Sequence, residues 1–269
     1  MNQRVMFASL LLVVFACSVA TAGPILKPRK YQGPIPRSSI TLRGGFLGGA
    51  TNEEMFDYLD SQAAPPFEAF SDDFGTAPLG EIAYTYKLHP QFAVRGNFSW
   101  ARLKGTGEGV FVPNVDLPDT VAAPAVEYDR EFKVDLFTIE GSAIYYLTDA
   151  SVKEFQPYLG AGLSLGIPYQ RFEETQIVAE TDPDGFYTRG EIFNEISESS
   201  WSAEAGVHAV LGALYYFGNR WAGTIEGRVQ MLQSTFSLET VDEVGQVEDV
   251  SFVVKYNGFM LALGVSYAF

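Results

Sequence analysis

The sequence predicts an all-β fold: an eight-stranded antiparallel up-and-down transmembrane β-barrel. Three observations carry that prediction. Near the C-terminus, Phe259, Leu261, Leu263, Val265, Tyr267 and Phe269 alternate with Gly258, Met260, Ala262, Gly264, Ser266 and Ala268. A strand has a side-chain period of two, so one face is apolar and the other small, as a wall between lipid and a crowded lumen requires. At the other end, Arg4 precedes an apolar run from Val5 to Ala16 and then Ala20-Thr21-Ala22, the three parts of a secretory signal peptide. Beyond residue 22 no uninterrupted apolar stretch reaches the roughly 20 residues of a spanning helix. A membrane-embedded chain without one must satisfy its backbone in a closed barrel.

These features divide the chain into a signal peptide (1–22, cleaved after Ala22), a Pro-rich basic periplasmic tail (23–37) and a barrel domain (38–269). The run Val5–Ala16 is too short to span a bilayer as a helix. A rival reading takes Val14-Phe15-Ala16-Cys17 as a lipoprotein box acylated at Cys17, which bulky Phe15 fits poorly. Residues 23–37 hold no Asp or Glu and are expected to lie extended.

Eight alternating segments are the expected wall strands. They are Ser39–Gly49, Leu79–Leu88, Phe92–Lys104, Phe132–Leu147, Gln156–Arg171, Trp201–Phe217, Trp221–Leu238 and Phe252–Phe269. Their connections alternate in length. His89-Pro90-Gln91 and Gly218-Asn219-Arg220 are tight turns and Thr148–Phe155 is short, whereas Ala50–Pro78, Gly105–Glu131, Phe172–Ser200 and Glu239–Ser251 are long. Short periplasmic turns and long external loops are the habit of outer-membrane barrels. Gly109–Val115 and Val121–Tyr128 form a possible further hairpin, read as loop extension; counted as wall, it would give ten strands.

The chain carries 18 Lys and Arg against 33 Asp and Glu, a net charge of −15. That balance excludes a nucleic-acid partner, whose phosphates demand cations. Cys17 is the only cysteine, so removal of the signal leaves no thiol or disulfide chemistry. Aromatics at 14% and 26 glycines suit interfacial rings and a narrow lumen.

The stretch Gln156-Pro157-Tyr158-Leu159-Gly160-Ala161-Gly162-Leu163-Ser164-Leu165-Gly166 resembles a strand of small outer-membrane barrels related to the transmembrane domain of outer-membrane protein A. Leu79–Tyr84 with Phe92–Gly96 resembles that family's second hairpin, Phe137–Leu147 its fourth strand and Gly258–Phe269 its last. The resemblance covers residues 38–269. It implies a single OmpA-like barrel in a Gram-negative outer membrane, without the family's peptidoglycan-binding domain. It also implies that Tyr267 and terminal Phe269 form the signal read by the outer-membrane assembly machinery.

With the faces fixed, Arg43, Glu81, Lys87, Arg95, Glu140, Glu204, Glu226 and Arg228 are expected to point into the lumen as an ion-pair network. Eight strands leave a lumen that side chains can fill, and charges there must pair. The chain has two histidines. His208 shares its face with Glu204, the spacing of a possible acid–base dyad, while His89 sits in a turn. No serine completes a triad, so the expectation is no enzyme and no cofactor. The long loops are acidic, and Asp182 and Asp184 in Asp182-Pro183-Asp184-Gly185 are weak candidates for a divalent cation. Phe56, Tyr58, Phe67, Phe70, Phe74, Phe186, Tyr187 and Phe193 in the same loops suit a packed cap or a partner contact. Expected partners are outer-membrane lipid and lipopolysaccharide, the assembly machinery and divalent cations at the loops, around a monomer. The expected role is structural or surface interaction (membrane integrity, adhesion). The alternatives are a narrow porin or small hydrophobic-molecule conduit and, less favoured, a lipid A-modifying enzyme.

Overall fold

A computed structural model describes residues 36–61, 74–111, 125–148, 155–181, 187–217, 220–241 and 247–269. The expected signal peptide, nearly all of the tail, and Asp182 and Asp184 lie outside the described residues. The strands are β1 (Ser38–Gly48), β2 (Thr76–His89), β3 (Phe92–Phe111), β4 (Ala125–Tyr146), β5 (Phe155–Thr181) and β6 (Tyr187–Trp201). They continue as β7 (Glu204–Tyr216), β8 (Trp221–Met231), β9 (Gln233–Val241), β10 (Val247–Lys255) and β11 (Gly258–Ala268). Among the described residues one helix, α1 (Glu53–Ser61), follows β1.

Eight strands close the wall in the order β1–β2–β3–β4–β5–β7–β8–β11, every neighbour antiparallel. Closure is made by β11 on β1, in register from Ser39↔Ala268 to Gly48↔Phe259. β1, β8 and β11 are each 11 residues long, and a tilted strand needs about 9–11 residues to cross a bilayer. Leu42, Ile82, Phe98, Ile139, Leu163, Val229 and Leu263 on the outward face are 46–70% exposed. A continuous apolar girdle of this kind has no place on a protein in water. It is the lipid-facing surface of a membrane barrel.

Both ends of the wall carry aromatic rings. At the end with the short turns, Trp221 lies 4.8 Å from Tyr267, and Tyr267 lies 6.4 Å from Phe269. At the loop end, Trp201 stacks on Tyr169 at 4.5 Å and on Phe137 at 6.5 Å. Such rings sit at the headgroup level of a bilayer.

Above the wall the architecture departs from long loops. β3, β4 and β5 run on outward, and their ladders reach Phe111↔Val126 and Ala125↔Ala179. β5 pairs with β7 up to Gly166↔Glu204 and with β6 from Tyr169↔Trp201 onward. Pro168, which has no N–H to give a ladder, stands at that exchange. The segments expected to be the second and third external loops are therefore largely sheet. Trp201 belongs to β6, not to the sixth wall strand, which begins at Glu204.

The seventh and eighth expected strands are each interrupted. β8 ends at Met231, β11 starts at Gly258, and their continuations form a separate hairpin, β9–β10, from Gln233↔Lys255 to Val241↔Val247. Leu232 marks the bend. Its side chain fills the slot left by Gly166 and Gly206, where a Cβ on Gly166 would sit 2.3 Å from it. Asn257 Oδ1 accepts the Leu232 N–H at 2.8 Å, and Leu232 O accepts the Tyr256 N–H at 2.8 Å. The inward face of the hairpin packs on the tall wall: Phe236 meets Phe132 at 5.0 Å, and Phe132 meets Phe74 at 5.8 Å. Helix α1 and the residues before it brace the hairpin along its β10 edge. Tyr58 lies 5.2 Å from Phe252, Glu54 Oε2 accepts the Val253 N–H at 3.2 Å, and Thr51 pairs with Lys255.

The interior thus has three tiers. An apolar dome at the loop end includes Leu47, Leu103, Phe132, Val134, Phe236, Val254 and Tyr256. A smaller apolar floor at the turn end includes Ala93, Ile144, Tyr146, Tyr158, Val210 and Leu214. Charged side chains fill the level between them.

Candidate functional site: a charge belt across the lumen

Alternation along β1, β2, β3, β4 and β8 turns one charged residue or pair from each strand inward at middle depth. Arg43, Glu81, Arg95, Glu140, Glu226 and Arg228 are 2–6% exposed. Register sets Arg43 opposite Glu81 on neighbouring strands, Glu226 and Arg228 meet as same-face neighbours on β8, and the remaining pairs join strands that are not adjacent in the wall. Glu226 is one hub. It accepts from Arg43 Nη1 at 2.9 Å, Arg95 Nη1 at 2.6 Å, Arg228 Nη2 at 2.8 Å and Tyr158 OH at 2.6 Å. Arg228 is the other hub, reaching Glu140 Oε2 at 2.7 Å and Glu226, and pairing with Glu81, which also pairs with Arg43. Asn97 Nδ2 donates to Glu140 Oε2 at 3.0 Å.

Three guanidiniums and three carboxylates balance in this belt. Balance is what a buried cluster needs, because an unpaired charge out of water costs several kcal/mol. Tyr158 joins the belt from below because Gly212 leaves room for its ring. A Cβ on Gly212 would lie 2.5 Å from the ring's outer carbon and hydroxyl. Arg95 lies over the same ring, 5.6 Å from its centroid.

The two remaining residues of the expected network stand apart. Lys87 points inward near the turn end, 4.9 Å from the Tyr146 ring and 3.4 Å from Gln156 Oε1. Glu204 opens β7 at the loop end and enters none of the belt's ion pairs. Both share the inward face but not the depth. The proposed Glu204–His208 dyad is likewise not formed. His208 is held between two serines, Ser142 Oγ at 2.8 Å from Nε2 and Ser164 Oγ at 2.7 Å from Nδ1. A neutral imidazole donates on one side and accepts on the other, so this arrangement satisfies the ring.

A second polar cluster ties the hairpin to the tall wall. Gln170 Nε2 donates to Ser234 Oγ at 2.8 Å and to Tyr256 OH at 2.9 Å, and Gln170 Oε1 accepts from Ser200 at 3.1 Å. Sequence reasoning missed this cluster, together with Tyr158, Asn97 and the two serines. The inward parity of each was available, but neutral residues give no reason to look for a partner. Tyr267 and Phe269 lie at the closing seam. Phe269 N–H donates to Ser38 O at 2.9 Å, and Arg220 Nη1 donates to Tyr267 OH at 3.0 Å. Among the described residues, no group of three or more His, Cys, Asp or Glu is placed to hold a metal ion.

No family model matches the chain, and no curated protein matches it. Solved structures do. The outer membrane protein OprG from Pseudomonas aeruginosa is similar at 14% identity and a TM-score of 0.49, over 87% of this chain and 97% of that one. Neisserial surface protein A is similar at 16% identity and a TM-score of 0.39, over 86% and 96%. The outer membrane protein AlkL is similar at 18% identity and a TM-score of 0.38, over 91% and 95%. The chain is a small β-barrel of the outer-membrane type. That statement rests on the closed eight-strand ladder and its apolar girdle. The lumen belt and the dome are described from this chain's own residues.

Proposed function

We propose that this protein is a closed outer-membrane barrel with a structural and surface-interaction role, and that it is neither an open pore nor an enzyme. The observation that carries the reading is the charge belt. Six charged side chains from five wall strands meet across the lumen at 2–6% exposure, with apolar tiers packed on either side. A hydrated ion passing through would have to break pairs that hold the wall together. In this reading the turn end faces the periplasm, the dome and tall sheet face outward, and cleavage after Ala22 releases the signal. Purified protein in planar bilayers should show no steady conductance. Stable ohmic channels in the wild-type protein would overturn the proposal.

The dome supports a second reading, a conduit for small hydrophobic molecules. Its inward surface, with Leu47, Leu103, Phe132, Phe172, Phe236 and Val254, is apolar enough to receive such a guest. That reading requires faster uptake of a fluorescent apolar probe into vesicles or cells carrying the barrel. Equal uptake with and without the protein would dismiss it. A lipid A-modifying activity is disfavoured because His208 is buried among serines inside the barrel, away from lipid.

A further inference from the structure

The outward face of the tall sheet carries a charge pattern at odds with the rest of the chain. Register sets Lys104 directly opposite Lys133 on β3 and β4, and Lys133 directly opposite Arg171 on β4 and β5. Three cations therefore stand side by side on adjacent strands of a protein whose net charge is −15. Like charges directly opposite one another destabilise a ladder. All three side chains face outward, at 56%, 37% and 43% exposure. Arg102, two residues before Lys104 on the same face, is 59% exposed.

The row lies at a defined depth. Asp135, Tyr169 and Trp201 occupy the next same-face level toward the turn end, with Trp100 and Phe137 one level further. Those rings mark the headgroup boundary. Two strand residues span about 7 Å, which lifts the cations just beyond the rings, to the level of lipid phosphates. Within the protein, two carboxylates serve the three cations. Glu131 takes Lys104 and, at 2.6 Å, Lys133; Glu173 takes Lys133 at 3.0 Å and Arg171 at 3.6 Å. Such water-facing pairs are weak and exchange readily.

We propose that Lys104, Lys133 and Arg171 form a binding site for the phosphates of an outer-leaflet lipid headgroup, with the lipid's chains lying on the ring cluster of Trp100, Phe137 and Trp201. A multivalent anion relieves the repulsion within the row. An Arg fork beside two ammonium groups matches phosphate geometry. The site is independent of whether the lumen conducts.

The test uses the folded full chain in detergent, titrated with diphosphorylated lipid A and read by native mass spectrometry. Lys104→Gln/Lys133→Gln/Arg171→Gln should keep the heat-modifiable mobility of a folded barrel and bind on the order of a hundredfold more weakly, at roughly fivefold per cation. Lys133→Gln alone should lose roughly fivefold, which keeps the test decisive if the triple variant misfolds. Arg220→Gln at the opposite end should bind as wild type does. Wild-type affinity from the triple variant would overturn the proposal. So would full displacement of the lipid by an equal concentration of inorganic phosphate, or equal binding of lipid A stripped of its phosphates.

Discussion

Replacing Arg228 with methionine tests the lumen belt at its most connected cation. Methionine is flexible enough to fill most of the space beside Met260, so the change is chiefly one of charge. Arg228 reaches Glu140, Glu81 and Glu226. Without it, three carboxylates face Arg43 and Arg95, and Glu140 keeps only the Asn97 amide, at 3.0 Å. Breaking a fully buried pair by removing one partner costs about 3–5 kcal/mol. The loss is discounted because Arg228 Nε already lacks a partner within the protein, so the lower end of that range is expected. Removing the orphaned charge as well, in Arg228→Met/Glu140→Gln, restores balance and should recover about 2 kcal/mol. Urea titration in phosphatidylcholine vesicles, followed by tryptophan fluorescence, measures both. The single variant should also show brief cation-selective openings in planar bilayers, as the uncompensated carboxylate draws in water and cations. A single variant with wild-type stability and no openings would refute the reasoning. A double variant whose losses simply add would refute the pairing of Arg228 with Glu140.

Three further outcomes follow from the fold. Deleting Phe269 removes the backbone bonds to Ser38 at the closing seam and the outermost ring of the last strand, and should lower the yield of heat-modifiable barrel; unchanged yield would show the seam does not need it. A cysteine at Glu195, exposed on β6, should react with an impermeant maleimide on intact cells, whereas one at Arg220 should not; the reverse pattern would invert the orientation. Thr51 and Lys255 exchange both backbone bonds, at 2.8 and 3.0 Å, so their Cα atoms are about 5.5 Å apart, within disulfide reach. Thr51→Cys/Lys255→Cys should therefore oxidise to a species of altered mobility, and failure to crosslink would mean that the base of the hairpin does not pair with Thr51.

The wall was legible because lipid imposes a strict rule. Every second residue must be apolar from one interface to the other, and short turns join the strands at one end. Beyond the girdle both faces of a strand meet water or a polar neighbour, and the rule lapses. In β6, Glu195, Ser197 and Ser199 alternate with Ile196 and Glu198, a pattern that also suits a loop. The break in the seventh expected strand was hidden for a different reason. Thr224, Glu226, Arg228, Gln230, Leu232, Ser234, Phe236 and Leu238 are all buried, so inward parity survives the bend at Leu232. The bend changes the strand's partners, not its faces, and periodicity carries no information about partners. Asn257-Gly258, a dipeptide typical of turns, was the one local sign that the eighth expected strand divides.

The candidate site was legible in the same partial way. Parity placed Lys87 and Glu204 on the inward face together with the six residues of the belt. A cross-lumen pair needs a second coordinate, depth, which strand tilt and stagger decide. Counting from strand ends recovers that coordinate where the strands are counted from the short-turn end of the barrel, as for Glu81, Glu140 and Arg228, each seven residues from a turn-end residue. It fails for Glu204, whose strand starts at the loop end after a change of partner at Pro168. Lys87 lies six residues below Glu81 on the same strand, too far toward the floor for its ammonium to reach the belt. The result is physically consistent: with Lys87 and Glu204 set aside, three guanidiniums and three carboxylates remain. A neutral belt needs no counterion in a lumen packed this tightly, and the excess negative charge of the chain lies elsewhere.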